Sequence, residues 1–145
     1  MTPNEFRREF MSTTRAMQNS VHKTMLPICQ DHGLTIQQLI VLTELADGAG
    51  QTAGQISDRV GILRTNLAPV CRKLEEKGLV EKMRHSEDGR AVAIHITGRG
   101  SALLASIDDT VDARFTEAFA AEPKETFDDI IRGLHLLRSF TEKLA

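Results

Sequence analysis

The hydrophobic period of this chain changes twice, and these changes limit the folds it can adopt. Up to Gly78 the apolar residues recur at the three- and four-residue spacing of one helix face. Residues 79–96 alternate between apolar and polar side chains, as strands do, and the helical period returns after Thr97. The sequence therefore predicts a mainly α fold with a small β-hairpin between two groups of helices.

Three capping boxes and a set of glycines mark the predicted helix boundaries. Thr2, Thr35 and Thr52 are each followed three residues later by Glu or Gln, which is the pattern of a helix N-terminus. Glycines stop the predicted helices at Gly33, Gly48, Gly61 and Gly78. The third and fourth helices are joined by a tight turn at Gly61. This layout is typical of a helix-turn-helix, whose second helix enters the major groove of DNA.

The alternating stretch predicts a two-stranded hairpin of the kind called a wing. Its strands are expected at 79–84 and 91–96, with a turn at 85–89 between them. Thr97 then caps a long helix, and Pro123 opens the last one. The first, fifth and sixth helices carry more apolar residues than so small a body can cover. We therefore expect a homodimer that buries them.

Charge is unevenly distributed along the chain, although its net value is only −2. The segment from Arg64 to Arg99 holds eight Lys and Arg against five Asp and Glu. A basic segment on an acidic body is the local footprint that contact with DNA phosphates requires.

Several other classes of function are disfavoured by the sequence. No apolar run is long enough to cross a bilayer and the N-terminus carries charges, so we expect a cytoplasmic protein with no membrane partner. Cys29 and Cys71 lack the paired spacing of a zinc or redox motif, and the five histidines show no ligand spacing. No catalytic constellation stands out. We expect no enzymatic activity, no cofactor and no metal.

The segment from Arg64 to Val80, the triplet Asp88-Gly89-Arg90 and the pair Ile96-Thr97 together resemble the MarR family of winged helix-turn-helix transcriptional regulators. The resemblance covers nearly the whole chain. It implies that residues 1–32 and 99–145 form dimerisation helices around a DNA-binding region at 33–98. It also implies a homodimer on a pseudo-palindromic operator in double-stranded DNA, and most members of the family are repressors.

Residues of the predicted recognition helix are candidates for contact with DNA. Thr65 and Asn66 stand near its solvent-facing start, where a hydroxyl or an amide can hydrogen-bond base edges. Arg64 and Arg72 are predicted to read guanine or to hold a phosphate, and the sequence leaves both roles open.

The wing and its neighbours supply the other candidates. Arg90 at the wing tip is expected to enter a minor groove, with Asp88 close enough to orient its guanidinium. Lys82, Arg84 and Arg99 are predicted phosphate contacts. Thr52 could place backbone N–H groups near a phosphate, although its capping box explains it more simply.

Three alternatives remain beside a DNA-binding repressor released by a small amphiphilic or aromatic effector. The chain could be a winged-helix module that binds protein, which its net negative charge permits. Cys29, near the end of the first helix, could serve as an oxidation sensor. An enzyme comes last. Retention on DNA that falls with salt would distinguish a DNA-binding repressor from a protein-binding module, because phosphate contacts release counterions.

Overall fold

Helices dominate the described part of the chain, residues 1–84 and 92–145 of a computed structural model. The helices are α1 (Pro3–Asp31), α2 (Ile36–Glu44), α3 (Ala53–Val60), α4 (Arg64–Glu76), α5 (Gly98–Ala121) and α6 (Lys124–Glu142). The strands are β1 (Gln51–Thr52), β2 (Val80–Arg84) and β3 (Val92–Ile96). The predicted mainly α class with a small β wing is confirmed.

The three predicted capping boxes all form. Thr2 Oγ1 accepts from the backbone N–H of Glu5 at 3.2 Å, and a Glu5 carboxylate oxygen accepts from the Thr2 N–H at 2.7 Å. The boxes that begin α2 and α3 repeat this reciprocal pattern. Capping uses only residues three apart, so the helix starts could be located from sequence alone. Gly61 ends α3 with φ +70, a left-handed conformation that favours glycine.

The sheet has one strand more than the predicted hairpin. Its order is β1-β3-β2, and both pairings are antiparallel. Gln51 pairs with Ile94 and Thr52 with Ala93, while Val80 and Arg84 of β2 lie opposite Ile96 and Val92. Because β1 comes directly before α3, this pairing attaches the helix-turn-helix to the wing. The expectation of two strands was therefore incomplete.

A single apolar core lies beneath α2, α3, α4 and the sheet. The face of α4 predicted to point inward is buried, namely Leu67, Val70, Cys71 and Leu74. Other buried apolar residues come from α1, α2, α3, β3 and α5 and from the residue after α2, namely Ile28, Leu42, Leu45, Ile56, Ile94, Leu104 and Ile107. Burying side chains of this size is the main stabilising contribution in such a small body.

The start of α5 packs so closely against the chain before β2 that only glycine fits at position 100. A Cβ there would overlap the carbonyl oxygen of Leu79 and come within 2.8 Å of Ile96 Cγ1. We expect Gly100→Ala to lower the free energy of unfolding by about 2 kcal/mol or more, since backbone cannot yield cheaply. Gly98→Ala is the matched control, because a Cβ at Gly98 meets no atom within 4 Å. Equal urea midpoints for the two variants would contradict this account.

The chain divides into two compact units, residues 1–107 and 108–145. The second unit contains the end of α5 and all of α6, with Phe119 stacked on Phe127 at 4.3 Å between ring centroids. In the described structure none of the α6 side chains is buried. The described helices include none that is long and apolar enough to cross a membrane.

Candidate DNA-binding surface

Helix α4 has one buried face and one exposed face, and the exposed face carries the predicted base-reading residues. Arg64, Thr65, Asn66 and Arg72 are all exposed. At about 100° per residue, Thr65 and Arg72 lie within about 30° of each other, opposite the buried face. Asn66 lies towards one edge of that exposed face. Thr65 and Arg72 therefore lie on the outermost line of the helix, two turns apart.

The turn between α3 and α4 is fixed by contacts within the helix-turn-helix. Ser57 Oγ donates to the carbonyl oxygen of Ile62 at 2.5 Å. Arg59 pairs with Glu44 of α2 at 3.2 Å, which leaves Arg59 less available to a phosphate. The Arg64 guanidinium lies over the first turn of α3, since a Cβ on Gly54 would stand 3.3 Å from its Nη2. Arg64 and the α3 N-terminus therefore form one local surface.

Thr52 is engaged in two ways at this surface. Its Oγ1 accepts from the Gln55 backbone N–H at 3.2 Å, and it pairs with Ala93 in the sheet. Both roles are structural. Free backbone N–H groups of the first turn of α3 remain the feature that could meet a phosphate.

The two predicted phosphate contacts on β2 differ in their surroundings. Lys82 Nζ lies 3.3 Å from a carboxylate oxygen of Glu75, so its charge is partly compensated. Arg84 is exposed and makes no ion pair with any residue in the described ranges. Lys82 and Arg84 share one face of the strand because side chains alternate along it. Asp88 and Arg90 lie outside the described residues.

Arg99 is far from the base-reading end of α4. Its Nη1 lies 3.9 Å from the position that a Cβ on Gly78 would take, just beyond the C-terminal end of α4. A helix of 13 residues is about 20 Å long, and Thr65 lies at its other end. Arg99 therefore lies near the end of α4 opposite to Thr65, and its contact with a phosphate stays a prediction.

Both cysteines are buried, as small core residues are. Cys29 has no exposed surface and Cys71 is 4% exposed. Burial raises the pKa of the Cys29 thiol, and burial also raises the pKa of Cys71 despite the opposing charge of Lys82. A sensor cysteine needs access and a lowered pKa. These observations favour a packing role for Cys29 over the redox alternative.

Two residues of this region were missed by sequence reasoning. Leu63, immediately before α4, is 70% exposed although it is apolar. Its position beside Arg64 and the preference of apolar side chains for the thymine methyl could have indicated it. Lys77, at the end of α4, reaches the connection between α1 and α2. No local signal in the sequence predicts that contact.

Among residues 1–84 and 92–145, no group of three or more His, Cys, Asp or Glu lies together as a metal site requires.

The arrangement of α3, α4 and the three strands is that of a winged helix-turn-helix DNA-binding protein. The family of the transcriptional regulators SarA and Rot matches residues 23–107, more than half of the chain. The chain belongs to this MarR-type family of winged-helix transcriptional regulators, as its sequence predicted.

Individual relatives agree with this assignment. The HTH-type transcriptional regulator FarR of Neisseria gonorrhoeae is 30% identical over 89 residues, 61% of each chain. The homoprotocatechuate degradative operon repressor of Escherichia coli is 27% identical over 79% of this chain and 75% of its own. The aligned region thus covers less than two thirds of FarR.

A solved structure shows the same fold. It is the Staphylococcus aureus MarR in complex with salicylate and kanamycin, with a TM-score of 0.84, 20% identity and coverage of 97% of this chain and 95% of that one. The family match identifies the protein as a transcriptional regulator.

Proposed function

We propose that the protein is a homodimeric repressor that binds a pseudo-palindromic operator and is released from it by a small effector. The observation that carries the proposal is the exposed face of α4, where Thr65 and Arg72 stand opposite a fully buried core face. Arg72 makes no ion pair with a residue of the described ranges, so its donors are available to a base pair.

In each half-site, the proposed contacts divide into those that read bases and those that hold phosphates. Thr65, Asn66 and Arg72 would contact base edges in the major groove. Arg64, Lys82 and Arg84 would hold phosphates and so set the register of α4 on the duplex. Arg90 with Asp88 remains the predicted minor-groove contact, and the first turn of α3 at Thr52 the predicted phosphate cradle. These residues bind and position DNA, and the proposal assigns no catalytic step to any of them.

Dimerisation is supported by apolar surface that a single chain leaves uncovered. In the second unit, α5 and α6 enclose a groove of about 880 Å³. Its walls include Phe115, Phe119, Ile131 and Leu134, and Phe115 is 71% exposed. Separately, Met17 and Val21 of α1 are exposed. Apolar patches of this extent mark association surfaces, and a second copy would bring two copies of α4 to one duplex. On this basis residues 1–32 and 99–145 are proposed as the dimerisation regions.

Repression and release by an effector are inferred from the relatives. The Escherichia coli relative is the homoprotocatechuate degradative operon repressor, and the Staphylococcus aureus neighbour is in complex with salicylate and kanamycin. A ligand that binds the free regulator more tightly than the DNA-bound form would shift the population off the operator.

Fluorescence anisotropy with DNA from upstream of the gene, and with scrambled DNA of the same composition, tests the proposal at two salt concentrations. We expect selective binding whose log–log salt slope is steep, because each phosphate contact releases counterions. Arg84→Ala should weaken binding to both DNAs and reduce the slope by about 1 for each protomer. Arg132→Ala is the control, since Arg132 lies in α6 and pairs with Asp129. Weak binding to both DNAs with no salt dependence would instead favour a protein-binding module.

A further inference from the structure

Helix α4 begins after a leucine, whereas α1, α2 and α3 each begin after a threonine. Thr2, Thr35 and Thr52 cap their helices, because the side-chain oxygen accepts a backbone N–H that would otherwise be free. Leu63 holds the same N-cap position for α4 and forms no side-chain hydrogen bond. Since leucine is among the least favoured residues at an N-cap, the start of α4 is less stable than a threonine would make it.

The side chain of Leu63 is also 70% exposed. In α3, α4 and the turn that joins them, all within the described ranges, it is the large apolar side chain left mainly in solvent. Ile62 before it is half-buried, and Leu67 one turn later has no exposed surface. Single exposed leucines are common on protein surfaces. A leucine that also occupies a cap position breaks two local rules at once, and such conflicts are expected at functional positions.

The backbone around Leu63 is held on both sides. Its carbonyl oxygen accepts from the backbone N–H groups of Asn66 and Leu67, each at 2.9 Å. On the preceding side, Ser57 Oγ donates to the carbonyl oxygen of Ile62 at 2.5 Å, which fixes the turn from α3. The leucine is therefore presented from an ordered backbone, and less conformational entropy is lost when a partner covers it.

Leu63 adjoins the predicted DNA-contacting residues at the start of α4. Arg64 and Thr65 follow it directly, and both are exposed. The Arg64 guanidinium lies over the first turn of α3, next to Gly54, and leaves the leucine uncovered. In a helix-turn-helix, the N-terminal residues of the recognition helix contact base edges in the major groove. Continuity with this surface identifies DNA as the partner that would cover Leu63.

An alkyl side chain has one apolar counterpart on the base edges of the major groove. The ring-nitrogen, carbonyl and amino groups found there are hydrogen-bond donors or acceptors, and an alkyl group would leave them unsatisfied. The 5-methyl group of thymine is the exception. We propose that Leu63 packs against a thymine methyl group in each half-site and so makes the protein select thymine at that position. This inference rests on the proposed function and adds an apolar contact to the polar ones assigned there.

DNA that contains deoxyuridine in place of thymidine tests this contact, because uracil keeps the hydrogen-bonding groups of thymine and lacks only the methyl group. The probe is the DNA from upstream of the gene, synthesised with either nucleotide and measured by fluorescence anisotropy. We expect the wild type to bind the uracil form about 15-fold more weakly, since one buried methyl group contributes a factor of about four in each of two half-sites.

Leu63→Ala should bind the thymine form about 15-fold more weakly than the wild type does, and it should lose most of the preference for thymine over uracil. Comparing both proteins on both DNAs separates the contact between leucine and methyl group from any effect of uracil on DNA shape, which the two proteins share. Leu136→Ala is the matched control, because it makes the same change at a side chain of α6 that is 69% exposed. It should respond to uracil as the wild type does.

Leu63→Ser distinguishes a contact with DNA from a structural role. A serine at this position can cap α4, so we expect its urea midpoint to rise above that of the wild type while its operator affinity falls. A leucine needed only for the fold would give the opposite result, a lower urea midpoint together with weaker binding to every DNA.

Three results would overturn the assignment of Leu63 while the proposed function stands. They are an equal response to uracil in Leu63→Ala and the wild type, equal losses of Leu63→Ala on operator and scrambled DNA, and a lower urea midpoint in Leu63→Ser. Equal losses on both DNAs would place Leu63 against the sugar-phosphate backbone. Weak binding of the wild type to operator and scrambled DNA alike would contradict the proposed function, and this inference with it.

Discussion

Arg72→Ala is expected to lower operator affinity by about 30-fold to 10⁴-fold while leaving binding to scrambled DNA within a few fold. Arg72 lies at the centre of the exposed face of α4, where a guanidinium can bond guanine O6 and N7 together. Such a contact contributes about 1–3 kcal/mol of discrimination, and a symmetric dimer makes it twice. The expected loss is therefore mainly a loss of selectivity.

Two matched variants decide between base reading and phosphate contact at Arg72. Arg72→Lys keeps the charge but not the planar fork, so it should bind scrambled DNA as the wild type does without recovering selectivity for the operator. Lys73→Ala removes the next cation along α4, which pairs with Glu76 at 3.3 Å and lies nearer the edge of the exposed face. This change should lower operator affinity only slightly. Equal losses on operator and scrambled DNA, together with recovery in Arg72→Lys, would assign Arg72 to the phosphate backbone instead.

Local chemistry explains which parts of the fold could be predicted from the sequence. The boxes at Thr2, Thr35 and Thr52 use neighbours three residues apart, and the buried face of α4 follows the helical period. These signals lie within a single turn or helix. The helix starts and the inward face of the recognition helix were therefore predicted correctly.

The features that sequence reasoning missed depend on residues far apart in the chain. Strand β1 is two residues long and pairs with Ala93 and Ile94, so it has no period of its own, and its Thr52 was already explained as a cap. Lys77 reaches Gly33, which lies 44 positions earlier. Contacts of this kind are set by tertiary packing, which no local pattern encodes.

The candidate site likewise has features that the local sequence predicts and features that depend on tertiary packing. Exposure of Thr65 and Arg72 followed from the helical period, because the opposite face is apolar. Lys82 pairs with Glu75, and Arg99 lies beside Lys77. Both arrangements depend on where β2 and α5 lie relative to the end of α4. Charge alone could not separate a cation that meets DNA from one that lines a cavity.

Leu134→Asp is expected to convert the protein to a monomer at micromolar concentration and to abolish tight operator binding. Leu134 lies on the apolar wall of the α5–α6 groove and is 41% exposed in the single chain. Burial of this remaining exposed surface in a symmetric dimer contributes about 1 kcal/mol from each copy, and an unpaired carboxylate there would add a larger penalty. A monomer would hold one half-site only.

Leu136→Asp is the matched control, because it makes the same change two residues further along α6. At about 100° per residue, Leu136 lies on nearly the opposite side of the helix from Leu134, and it is 69% exposed. Sedimentation velocity should show a dimer for Leu136→Asp and a monomer for Leu134→Asp, with circular dichroism confirming that both remain helical. If Leu134→Asp sediments as a dimer and Leu136→Asp does not, the association face is the other side of α6. If both remain dimers, the second unit does not hold the two copies together, and the exposed apolar residues of α1 become the interface to test.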